Sequence, residues 1–128
     1  MNKKEIGCWG ENIAADYLSR KGYSILARNF YTPQGEIDLI ALKVDRDEKT
    51  LVFAEVKTRT SDRYGYPEEA ITLKKWKNML KAIDNYFQDQ PEYQDGWQID
   101  VIAIQRLRED HPPEIAHFEN VLMDYGRE

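Results

Sequence analysis

The stretch EIDLIALKVDRDEKTLVFAEVKTR, residues 36–59, decides how this chain folds. Residues 36–42 are an apolar run of strand length, and residues 51–58 are a second. Between them residues 44–50, rich in Asp and Lys, read as a hairpin connection. A turn centred between Arg46 and Asp47 sets the register. It places Ile40 opposite Phe53, Asp38 opposite Glu55 and Glu36 opposite Lys57. Directly opposed Cβ atoms in an antiparallel pair lie about 4.5–5.5 Å apart. Side chains two residues apart on a strand share a face, so Glu36 with Asp38, and Glu55 with Lys57, crowd their charges together.

Working outward, residues 5–21 read as a helix. Ile6, Ile13, Ala14, Tyr17 and Leu18 recur at helical spacing, and Gly22 stops it. Gly7 and Gly10, one turn apart, would let this helix approach the sheet closely. Residues 23–30 form a strand, closed by the turn Thr32-Pro33-Gln34-Gly35. Downstream, residues 60–66 read as a loop and residues 67–88 as a second helix, with the stripe Leu73, Trp76, Leu80, Ile83 and Phe87. Pro91 prevents its continuation. Residues 97–104 are a strand, and beyond Pro112-Pro113 a last strand runs around residues 115–122. The order α-β-β-β-α-β-β predicts an α/β fold in which helices pack on a mixed sheet.

With 128 residues, 41% hydrophobic and 32% charged, the chain reads as one domain spanning 1–128, able to fold without disulfides. No apolar run approaches the roughly 20 residues of a bilayer span. The start, Met1 to Gly7, lacks a signal-peptide core, and the single cysteine, Cys8, fits a reducing compartment. The expectation is a cytoplasmic protein without membrane association. A net charge of -5 argues against a surface that coats phosphates everywhere. The basic residues are concentrated instead. From Val56 to Lys81 there are seven (Lys57, Arg59, Arg63, Lys74, Lys75, Lys77 and Lys81) against three acids (Asp62, Glu68 and Glu69). A solvated helix face would account equally well for the lysines alone.

The opposed carboxylates carry the chemistry. Asp38 and Glu55 repel unless a cation sits between them, and Mg²⁺ (or Mn²⁺) is the hard ion that takes one or two carboxylates. With the Val56 carbonyl they would supply three oxygens. Lys57 would point at the same place, to orient or help deprotonate an attacking water or to stabilise a charged phosphate. Ordinary cross-strand surface charges are the competing reading. Glu11 falls on the apolar side of the first helix, at i−3 from Ala14 and i−7 from Leu18, and needs a partner there, a cation or a basic side chain. His111 and His117 lie in a motif-poor region and receive no role. Trp76 suits the core, whereas Tyr64 and Tyr66 suit either a loop or stacking on unpaired bases.

Gly10-Glu11, Gly22-Tyr23, Arg28-Asn29-Phe30, the block from Gly35 to Ile40 and the block from Phe53 to Arg59 together resemble the YraN-like family. That family is similar to archaeal Holliday-junction resolvases of the PD-(D/E)xK nuclease superfamily. The resemblance spans roughly residues 7–104 and takes in Ala70, Lys75 and Asp100. It implies a restriction-endonuclease-like α-β-β-β-α-β core, a mixed central sheet flanked by helices, and a Mg²⁺-dependent phosphodiesterase site. On that pattern Glu11 matches the N-terminal helix acid, Asp38 and Glu55 the metal acids and Lys57 the catalytic lysine. Lys75 matches a basic position that meets phosphate.

The expectation is thus a divalent-metal-dependent endonuclease acting on DNA, branched or repair-intermediate DNA in particular. Asp38 and Glu55 would hold the metal, Lys57 would serve the water, and Glu11 and Glu36 would support them. Arg59, Arg63, Lys74 and Lys75 would contact phosphates, and a homodimer would suit a symmetric double cut. The alternative is a nucleic-acid-binding or adaptor module that keeps the fold with little or no turnover.

Overall fold

A computed structural model describes residues 1–60, 71–93, 96–108 and 110–121. Five strands, β1 (Ser24–Tyr31), β2 (Glu36–Asp45), β3 (Glu48–Arg59), β4 (Trp97–Gln105) and β5 (Glu114–Phe118), lie side by side in that order. β1, β2 and β3 are antiparallel neighbours, β4 runs parallel to β3, and β5 is antiparallel to β4. The parallel step needs a crossover, which helix α2 (Leu73–Asp89) supplies.

Two cores flank the sheet. On one face Ala14 and Leu18 of helix α1 (Lys3–Arg20) pack on Leu39, Ala41, Val52, Ala54, Ile102 and Ile104. On the other, Trp76, Met79, Ile83, Tyr86 and Phe87 of α2 pack on Ile37, Ile40, Leu51, Phe53, Ile99 and Val101. Because β2 and β3 are covered on both sides, neither alternates. Residues 39–41 and 51–54 are all fully buried, the pattern of sandwiched strands. The result is a mixed α/β fold of the order expected for a restriction-endonuclease-like core. Among the described residues no helix is long and apolar enough to cross a membrane.

The helix ends follow from their caps. Asn2 accepts from the Glu5 amide at 2.8 Å while Glu5 accepts from the Asn2 amide at 3.4 Å, a capping box that starts α1 at Lys3. Thr72 is extended, and its hydroxyl accepts from the Lys75 amide at 3.1 Å. That cap starts α2 at Leu73, later than the expected 67; residues 67–70 lie outside the described residues. The stripe shifts accordingly. Leu73, at the first helical position, is exposed beside Lys74 and Lys77 in an open groove, and Met79 and Tyr86 take core places instead.

β5 ends at Phe118, short of the expected 122. Asn120 adopts φ +51° and turns the chain back onto β4, with the Val121 amide donating to the Ile99 carbonyl at 2.7 Å. Gly10 has the close approach its position implied, since a Cβ there would strike the Thr58 side chain of β3. Gly7 does not, because nothing lies within 4 Å of the Cβ position.

Candidate functional site

The β2–β3 ladder runs from Asp45–Glu48 to Leu39–Ala54 in the register set by the turn at Arg46 and Asp47, and there it stops. The next level carries Asp38 and Glu55. On the other side of β2, Arg28 pairs with Leu39 and Phe30 with Ile37, so Asn29 falls opposite Asp38. Three neighbouring strands thus bring Asn29, Asp38 and Glu55 to one level. Asp38 and Glu55 are 7% and 3% exposed, two acids inside otherwise apolar strands. Beyond the end of the ladder the Asp38 carboxylate does what a strand would do. Its Oδ2 accepts from the Val56 amide at 2.8 Å. An extended residue sends its N–H and C=O toward the same neighbour, so the Val56 carbonyl faces this side too.

Glu55 is the most perturbed of the group. Burial and then Asp38 push its carboxyl up to about 7, against the opposing pull of Lys75 and Lys57. Lys57 Nζ lies 3.5 Å from Oε1, and Lys75 Nζ of α2 lies 3.5 Å from Oε2. The buried Oε2 accepts no hydrogen bond among the described residues. Even with two ammonium groups present, burial and the neighbouring Asp38 keep the Glu55 carboxyl raised.

Glu11 arrives from α1. Burial first and Asp38 second raise its pKa, while a hydrogen bond from Asn29 and the Arg28 charge act the other way. Asn29 holds φ +52°, in the left-handed region that Asn tolerates better than most side chains. Close packing at Gly10 against Thr58 sets the height of Glu11 over the sheet.

Glu11, Asp38, Glu55, Lys57 and Lys75 therefore converge. One expectation fails. Glu36 does not pair with Lys57: the ladder has ended, Glu36 lies opposite Tyr31 in β1, and Lys57 turns instead to the buried Glu55, whose charge needs it more. Glu11 stands beside Asp38 and Glu55 in the supporting place expected of it, without forming with them a set whose oxygens all lie within 4.8 Å of one another. Arg59 ends β3, half-buried. Lys74 stands exposed on α2 in a groove that Lys77 and Lys81 also line. Arg63, Tyr64 and Tyr66 lie outside the described residues. Trp76 is core, as its spacing suggested.

A second polar cluster went unread in the sequence. Asp100, His117 and Glu119 offer ligand atoms all within 4.8 Å of one another, a group that could hold a metal ion. Its members are already satisfied, however. Asp100, fully buried, accepts from Gln98 Nε2 and the Asn120 amide, each at 2.9 Å, and meets His117 Nε2 at 2.7 Å. The Lys43 ammonium, 3.3 Å from Glu119, is the first cause holding that carboxyl below its ordinary range. The two carboxyls thus shift in opposite directions, Glu55 up because burial and Asp38 outweigh its two lysines, and Glu119 down because Lys43 outweighs its slight burial. The signal for Asp100 was a lone acid within the apolar run of residues 97–104, the same kind of signal that drew attention to Asp38 and Glu55.

A family model described as "Uncharacterised protein family UPF0102" matches residues 10–104. A "UPF0102 protein" of Syntrophomonas wolfei is 47% identical over 120 residues, covering 94% of this chain and 98% of the relative. One from Alkaliphilus oremlandii is 42% identical over 122 residues, at 94% and 98% coverage. Another from Herpetosiphon aurantiacus is 36% identical over 127 residues, at 96% and 98%.

Proposed function

The chain belongs to the UPF0102 family, and we propose that it is a divalent-metal-dependent endonuclease hydrolysing phosphodiester bonds in DNA, branched or repair-intermediate DNA in particular. The single observation that carries this reading is the Asp38–Glu55 pair: two buried acids at one level, with the Glu55 carboxyl raised to about 7 and its Oε2 without a hydrogen bond. A hard dication fits such a donor set, with the Val56 carbonyl as a third oxygen. The likeness of the 35–40 and 53–59 blocks to the YraN-like family, which is in turn similar to archaeal Holliday-junction resolvases of the PD-(D/E)xK superfamily, supports the same assignment.

When bound, Mg²⁺ or Mn²⁺ would polarise the scissile phosphate and offset the charge that develops on it. The residues do the rest. Lys57, held 3.5 Å from Glu55 and only partly exposed, presents an ammonium that orients the attacking water and stabilises the departing negative charge. Lys75 fixes the far oxygen of Glu55 from α2. Glu11, itself raised, accepts a proton at the α1 side of the site, and Glu36 adds negative potential beside it. Arg59 and Lys74 supply phosphate contacts, and Arg63 is given the same role from its place in the sequence after Arg59. A symmetric cut of two strands would use a C2 dimer.

One observation favours a second reading, a nucleic-acid-binding or adaptor module with little turnover. Both oxygens of Glu55 already meet ammonium groups, which compete with a dication. A cleavage screen separates the two. Linear, flapped and four-way DNA are incubated with Mg²⁺ or Mn²⁺, with Lys57→Ala as control. Metal-dependent products that disappear in the variant support the nuclease, and binding without any products supports the adaptor.

A further inference from the structure

We propose that Arg106, stacked on Trp9, is a phosphate anchor on the α1 side of the site, gripping a DNA backbone that lies across the end of the sheet. The inference rests on the nucleic-acid reading above and extends it to residues that no motif touches. The Arg106 guanidinium carbon lies 4.7 Å from the centroid of the Trp9 ring. Stacking restricts the side chain before any ligand arrives and leaves its in-plane N–H donors for phosphate oxygens. Two other guanidiniums are engaged by acids: Arg20 meets Asp16 at 3.0 Å and Arg108 meets Asp110 at 3.4 Å. Among the described residues no acid pairs with Arg106.

Its place is fixed by backbone. The Arg106 amide donates to the Arg59 carbonyl at 3.0 Å, immediately after Arg59 pairs with Gln105. Trp9 adjoins Gly10, which is packed on Thr58. The anchor therefore stands at the end of β3 toward which Glu55 and Lys57 lead, at the level of Arg59, four residues beyond Glu55. That is about 13 Å of extended chain. Lys74 stands exposed on α2, the helix on the opposite face. Arg106 and Lys74 thus offer cations from the two helix-covered faces of the sheet. In a chain of net charge -5, two such local cations decide where a polyanion can settle.

The test is fluorescence anisotropy with a labelled linear duplex and a labelled four-way junction, in EDTA, from 50 to 200 mM KCl. Arg106→Gln should bind several-fold more weakly and flatten the log–log salt slope by about 0.9. Arg106→Lys should keep the slope but lose part of the affinity, as should Trp9→Leu, which retains the charge and removes the platform. Arg20→Gln, already ion-paired and at the far end of α1, should match wild type. Thermal melts confirm that each variant folds. Wild-type affinity and slope in Arg106→Gln would overturn the anchor, even if the enzyme cuts DNA. The expected loss with no metal-dependent cleavage in wild type would uphold the anchor and sink the nuclease. A wild-type protein with no salt-dependent DNA binding overturns both.

Discussion

Lys75 Nζ lies 3.5 Å from Glu55 Oε2, tying the first turns of α2 to the centre of β3. Glu55 is nearly buried, so this contact, with the matching one from Lys57, limits how far desolvation and Asp38 can lift its carboxyl. Replacing Lys75 by Met removes one of the two opposing charges. The Glu55 carboxyl should then titrate above its wild-type value of about 7, read by NMR of the labelled side-chain carboxyl carbon. An unchanged titration would mean that Lys75 does not act on Glu55.

The same shift makes stability depend on pH. A carboxyl with a folded pKa of about 7 and an ordinary value of 4.5 stabilises the folded state in its protonated form. That contribution is complete below 4.5 and is lost as pH rises through 7. The metal-free wild type should therefore weaken between pH 5 and 8, while Glu55→Gln, which imitates the protonated acid, should not. By pH 8 the variant should be the more stable by roughly 3 kcal/mol. Urea denaturation in EDTA at several pH values measures it, and parallel curves for the two proteins would contradict it.

Gly10 and Gly7 make a paired test of helix seating. Gly10→Ala drives a Cβ into Thr58 and should cost about 1–3 kcal/mol. Gly7→Ala meets open space and should gain up to about 1 kcal/mol from helix propensity. Thermal melts of the two variants should move in opposite directions.

Much of this architecture was legible in residues 36–59. The apolar runs gave β2 and β3, and the turn gave a register that holds from Asp45–Glu48 to Leu39–Ala54. What failed lay where side chains override the ladder. Asp38 takes the Val56 amide for itself, so the pairing of Glu36 with Lys57 never forms. The second lysine on Glu55 comes from α2, across a sequence distance that strand patterns do not register. The Asn29 left-handed turn was invisible for another reason, because a single Asn in a strand carries no periodic signature. Likewise, the link between Asp100 and His117 joins β4 to an edge strand in a motif-poor tail.

That link should be structural. Asp100→Ala strands the His117 ring, the Gln98 amide and the Asn120 amide at a fully buried position. A loss of about 3 kcal/mol or more is expected, with Mn²⁺ affinity unchanged in whatever fraction stays folded. A folded Asp100→Ala protein that no longer binds Mn²⁺ would move the metal to this cluster.

The most direct measurement is calorimetric titration of Mn²⁺ at pH 8 into wild type, Asp38→Ala and His117→Ala. The account predicts one site in wild type, absent in Asp38→Ala and retained in His117→Ala. It also predicts a weaker site at pH 6, where protons compete for Glu55. No binding in any protein, or a site that survives Asp38→Ala and vanishes in His117→Ala, would contradict it.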